Sequence, residues 1–150
     1  MKNKKNQAAF KLVKITNEQF AVFKENCEQG NFEYDIDFKT NVRVSIGQHM
    51  VGIFTKYVFS QKKGIVLVIE CGCHFNLFDH YWNVNVTDNI LIIDKKLLTH
   101  LLVLTVGTSR GVLHSKKPTW LSSIMLPTLN VISVISDDMN FDLSNLEEEE

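Results

Sequence analysis

Charge of one sign is missing from this chain: sixteen Lys and Arg stand against seventeen Asp and Glu, for a formal net charge of -1. A near-neutral chain has no general attraction to phosphate backbones, and its lysines are scattered or terminal rather than gathered on one face. Nucleic acid is therefore not an expected partner. Long apolar runs are missing too. The longest, Leu97 to Val106, is about half the length a bilayer span needs and contains His100, so no membrane insertion is expected. The opening MKNKKNQAAFKLVK has no apolar segment of signal-peptide type, which points to the cytoplasm. Cysteine is sparse and odd in number, with Cys27, Cys71 and Cys73 only, so reduced thiols are expected rather than a disulfide framework.

Catalytic signatures are also absent. There is no G-x-S-x-G, and Gly107-Thr108-Ser109-Arg110-Gly111 has no following Lys-Ser/Thr, so it is not a phosphate loop. In Cys71-Gly72-Cys73-His74 the cysteines share a phase with Ile69 and Phe75 while His74 points the other way, and no second Cys/His cluster completes four ligands. No metal, no cofactor and no enzymatic activity are expected. His100, between Thr99 and Leu101, reads as a partly buried histidine, and Asp94-Lys95-Lys96 as a solvated face.

What is present is alternation. From Phe32 to Ile46 the even positions are apolar or Thr and the odd ones are polar, a period of two that requires a strand with one dry and one wet face. Gly47-Gln48 breaks it, and Met50 to Ser60, rich in aromatic and β-branched residues, reads as the returning strand. After Lys62-Lys63-Gly64 comes a third, Ile65 to Phe78, whose IVLVI start is apolar on both faces and suggests cover from both sides, such as a subunit interface. Phe10 to Phe23 alternates more weakly, with a phase slip near Asn17 that predicts a bulge.

Past His80-Tyr81-Trp82 the period changes. Ile90, Ile93, Leu97, Leu98, Leu101, Leu102, Thr105 and Val106 predict a helix from about Asn89 to about Gly111, capped by Thr87 or Asp88. The 112–127 segment reads as a long loop anchored by Trp120, Leu121, Ile124 and Met125. An acidic tail follows from Ser136, expected to be disordered. The division is thus a flexible N-terminus at 1–9, one domain at 10–135 and the tail at 136–150.

Four strands, a long helix ending in Ser109-Arg110-Gly111, and then Pro127-Thr128-Leu129-Asn130-Val131 resemble the SecB family of protein-export chaperones. Phe10-Lys11-Leu12-Val13-Lys14-Ile15 is similar to that family's first strand, and Asp88-Asn89-Ile90-Leu91 to its helix start. The resemblance implies an α+β fold: a four-stranded antiparallel sheet, one long helix, and a long C-terminal loop with at most a short last helix. It also implies a homotetramer built as a dimer of dimers, ATP-independent holding of unfolded or nascent polypeptides, and transfer to the SecA motor. The chain departs from the family in having Ile92-Ile93-Asp94-Lys95-Lys96 where Phe-Pro-Tyr-Ala-Arg is usual, and in its longer loop.

Trp120, Leu121, Ile124 and Met125 would bind clients, with Phe54, Tyr57, Phe59 and Trp82 as candidates for the groove beneath; packing is the alternative for both sets. Clients would lie extended, apolar side chains in grooves and backbone on exposed edges or in water. Glu33, Asp35 and Asp37 occupy the wet face that the family presents to SecA, but Lys39 and Arg43 continue that face with opposite charge, which suits plain solubility. A second reading keeps the fold and assigns one dedicated client, such as an antitoxin. A third, a hot-dog thioesterase, would place its long helix before the strands.

Overall fold

The computed structural model describes residues 9–145. The N-terminal segment 1–8 and the acidic run Glu147–Glu150, for which flexibility was expected, lie outside the described residues. The fold is α+β. Strands β1 (Phe10–Val22), β2 (Asp35–Ser45), β3 (Met50–Gln61) and β4 (Gly64–Leu77) form one antiparallel sheet in the order β1-β4-β3-β2. Register shifts in β1 fall between Leu12 and Lys14 and between Asn17 and Glu18's neighbour Gln19, the second where the alternation slips. By contrast, β2 pairs with β3 without interruption from Asp35 to Ser45.

Alternation assigns the two faces. Ile36, Phe38, Val42 and Val44 of β2, Val51, Ile53, Tyr57 and Phe59 of β3, and Leu67, Ile69, Cys71, Cys73, Phe75 and Leu77 of β4 share the inner face, where the β3 and β4 members are buried. On the outer face Phe54 lies over two glycines. A Cβ on Gly72 would meet its ring at 2.7 Å and Thr16 Oγ1 at 2.6 Å, and one on Gly52 would meet the ring at 2.9 Å, so both positions need glycine for the ring to lie flat. Val66 and Val68, in the doubly apolar start of β4, are buried within the single chain; Ala21 and Val58 flank Val68 on the neighbouring strands.

The helix begins later and ends later than its periodicity suggests. Ile90–Ile93 is instead strand β6, paired with β5 (Val86–Thr87) through the two-residue turn Asp88-Asn89, and both turn residues have positive φ (53° and 61°), as such a hairpin requires. A short helix α1 (Asp79–Asn85) precedes this hairpin. The long helix α2 spans Lys95–Lys116, capped by Asp94, whose Oδ2 accepts from the Leu97 backbone N–H at 3.1 Å. Asp94 also accepts from the Tyr81 hydroxyl at 2.6 Å, so it is a cap tied to α1 and not part of a solvated face. Gly111 does not stop α2, because it keeps a helical backbone and Leu113 continues the buried stripe of Leu98, Leu101, Leu102, Thr105, Val106 and Ser109.

A short helix α3 (Val131–Val134) follows the loop, and then Met139–Asp142 forms β7, the third strand of a small sheet ordered β5-β6-β7. The expected disordered tail from Ser136 is corrected at this point. Met139 and Phe141 pack partly buried against the core and the ladder with β6 satisfies their backbone, which outweighs the acidic composition. Among the described residues no helix is long and apolar enough to cross a membrane.

Candidate functional site

Two apolar clusters lie between the sheet and what covers it. The first joins Val51, Ile53, Cys73, Phe75 and Leu77 to Leu98, Leu101 and Leu102 of α2, Trp82 of α1, and Leu91 and Ile93 of β6. The second joins Tyr57, Phe59, Leu67, Ile69 and Cys71 to Leu113, Leu121, Ile124 and Leu126. Segment 117–126 covers this second cluster. Lys117 ends α2 with its N–H on the Leu113 carbonyl, and its Nζ then donates to the carbonyls of Ser122 (2.8 Å) and Ile124 (3.2 Å), folding the chain back across its own end. Pro118 opens a 3-10 turn at Thr119–Leu121 that drives Leu121 inward.

The residues expected to bind clients are therefore not gathered in one open groove. Phe59, Leu121 and Ile124 are buried in the second cluster and Trp82 in the first, while Phe54 is buried on the opposite face of the sheet. Trp120 is half-buried, with Lys24 Nζ 5.8 Å from its ring centroid, and Met125 is 75% exposed. Trp82 is further held by His49, which stacks on it at 4.3 Å and bonds Asp79 Oδ1 at 3.0 Å.

Polar groups in the second cluster are nearly all spoken for. Ser109 Oγ donates to the Thr105 carbonyl at 2.9 Å, which leaves it to accept from Thr55 Oγ1 at 2.7 Å. Burial pushes the Cys71 thiol up, with Ser109 partly offsetting it. Tyr57 is the exception. Its hydroxyl is buried without a hydrogen-bond partner among the described residues, and burial pushes its pKa up to about 12. Cys71 and Cys73 face inward and His74 outward, where it meets Thr16 Oγ1 at 3.1 Å and the Phe54 ring. Among the described residues no three His, Cys, Asp or Glu side chains are arranged to hold a metal ion.

Sequence reasoning missed an exposed apolar surface. Phe10 meets His100 ring to ring at 5.2 Å and Lys116 Nζ lies 5.7 Å from the Phe20 ring, so α2 runs alongside β1. Between those two contacts β1 carries Leu12 and Ile15, and α2 carries Val103 and Leu104. All four are exposed, Ile15 at 50% and Val103 at 49%. The signal was faint, because Val103 and Leu104 merge with the buried leucines of the same run. Glu33, Asp35 and Asp37 are exposed near the start of β2; Glu33 and Asp35 line a polar hollow of about 480 Å³ with Lys62. A scan against models of protein families finds no match to this chain, and a search of curated proteins finds none either.

Proposed function

We propose that this chain is a SecB-like, ATP-independent holding chaperone, cytoplasmic and homo-oligomeric, that binds unfolded polypeptides without chemistry. The observation carrying this reading is the set of apolar side chains exposed on β1 and α2, Leu12, Ile15, Val103 and Leu104, beside which the chain also exposes Phe32, Val84, Met125 and Ile132. The 1-4-3-2 antiparallel sheet with a long helix on one face supports it, as does the resemblance in the order of short motifs. An extended client would lay its side chains along this stretch, and several copies of the site in a tetramer would add avidity. On this reading a SecA-type partner would dock on the exposed Glu33, Asp35 and Asp37, but Lys39 and Arg43, on the same face as Asp35 and Asp37, oppose a basic contact.

The fastening of the loop favours a second reading, a chaperone dedicated to one client. Leu121 and Ile124 are buried and Lys117 bridges two carbonyls, which makes a fixed surface and not an adaptable one.

The test is light scattering during aggregation of a chemically denatured protein, at equal stoichiometry and without nucleotide. Suppression is expected, with loss in Ile15→Asn combined with Val103→Gln, both exposed and so compatible with folding. No suppression by the folded wild type overturns the general chaperone; capture of one saturating client that outcompetes all others then establishes the dedicated form.

A further inference from the structure

A net charge of -1 conceals an uneven distribution. Between Asp94 and Asp137 the chain carries no Asp or Glu, while Lys95, Lys96, Arg110, Lys116 and Lys117 all fall there, on α2 and at the start of the segment that covers the second cluster. Two carboxylates stand at the start of α2, and both are taken up by its backbone: Asp94 accepts from the Leu97 N–H and Asp138 from the Lys95 N–H at 2.7 Å. On β1 the one carboxylate, Glu18, accepts from Thr16 Oγ1 at 2.7 Å, and Thr16 also meets His74, so this group belongs to the outer face of the sheet. Among the described residues Lys95, Lys96, Arg110 and Lys116 have no ion-pair partner.

Lys96, Val103 and Arg110 follow one another at intervals of seven, so they line one face of α2, and all three are exposed. Leu104 is exposed beside Val103, and a Cβ on Gly107 or Gly111 would meet nothing within 4 Å, which leaves the surface low and open there. β1, which runs alongside through the Phe10–His100 and Phe20–Lys116 contacts, adds the exposed Leu12 and Ile15. This face of α2 therefore has an apolar middle and an unpaired cation toward either end. We infer that it takes an acidic peptide segment, an extended stretch with apolar side chains at its centre and carboxylates at both ends. The inference rests on the holding reading above and names the class of client that the face selects.

Spacing sets the length of that segment. Lys96 and Arg110 stand about 21 Å apart along the helix axis, which an extended peptide spans with roughly six residues. Carboxylates separated by that distance reach both cations at once, while the side chains between them cover Val103 and Leu104. Other occupants fit this face less well. The α2 helix of a second copy, laid along it in either direction, brings cations to cations, because α2 has no carboxylate to offer. A nucleic acid strand carries a negative charge roughly every 3.4 Å, whereas valine and glycine stand between these two cations on the face. A basic peptide meets like charge at both ends.

The experiment is fluorescence anisotropy on the full chain with two labelled peptides that share the centre Leu-Val-Leu-Val and end on both sides in Glu-Glu or in Lys-Lys. The acidic peptide is expected to bind about ten-fold more tightly, with the margin shrinking as salt is added. Lys96→Glu combined with Arg110→Glu is expected to reverse the preference. Arg110 also donates to the Pro127 carbonyl at 3.3 Å, so its loss can loosen the loop, but a gain of affinity for the basic peptide cannot come from a chain that has lost its fold. Equal affinity for the two peptides, preference for the basic one, or no binding of either overturns the inference. So does displacement of the acidic peptide by a single-stranded oligonucleotide at lower concentration than by the unlabelled peptide itself. The holding reading is judged separately by light scattering: preference for the acidic peptide without suppression of aggregation removes that reading and leaves the acidic site, and suppression without preference does the reverse.

Discussion

The two apolar clusters rest on the same sheet and the same helix, yet different kinds of structure close them. The first is finished by regular elements, α1 and the β5-β6-β7 sheet, whose backbone groups are paired in a helix or a ladder. The second is finished by segment 117–126, which has one 3-10 turn and carbonyls held by a lysine side chain. Apolar burial is similar in kind; cooperativity is not. A cover held by a few side-chain bonds can open without the rest of the molecule, whereas one woven into a ladder cannot.

Paired truncations would sharpen this contrast. Leu101→Ala, in the first cluster against the sheet, is expected to cost about 4 kcal/mol in a urea titration and to act on the whole domain. Leu121→Ala is expected to cost about 2 kcal/mol, since a loop can collapse into the space, and to speed amide exchange in 117–126 ahead of α2. Equal costs and uniform exchange would break the distinction.

Tyr57→Phe tests the second cluster from inside. Removing a buried hydroxyl that has no partner is expected to stabilise by about 1 kcal/mol, and a loss of stability of that size would mean the hydroxyl is satisfied in solution.

The smallest effect belongs to the outer face. Burial first, and then the charge of Lys14, lowers the His74 pKa from its ordinary 6.5. The unfolded chain then binds a proton at this site more readily than the folded one. The stability His74 confers is complete at neutral pH and lost as pH falls below about 6.5. His74→Gln should flatten that part of the pH profile of the urea midpoint; an unchanged profile would assign the acid sensitivity elsewhere.

Strands were legible and their covers were not, for a local reason. The large sheet has one face on a core, so period two is written along Phe32 to Ile46, although β2 starts three residues later at Asp35, and through β3 and β4 within a residue of the observed bounds. Ile90–Ile93 is apolar throughout and fits a strand or a helix equally; Asp88-Asn89 between β-branched residues was the available hairpin signal, and its Asp also resembled a cap. β7 has four residues beside an acidic run, too few for alternation to register. Candidate site residues were harder still. Composition shows that Trp120, Leu121, Ile124 and Met125 are anchors or binders, but only the turn after Pro118 decides that Leu121 and Ile124 point in and Met125 out.

The pairing of β6 with β7 also orders events during synthesis. The large sheet is complete in sequence once Leu77 has emerged, but Leu91 and Ile93 wait for Met139 to Asp142 to complete their ladder, and Leu143 is the last buried contributor to their cluster. Between the synthesis of Ile93 and that of Met139 a ribosome therefore carries this chain with that cluster unfinished and one edge of β6 unpaired. A stalled or truncated product ending before residue 139 would itself be a substrate for chaperones.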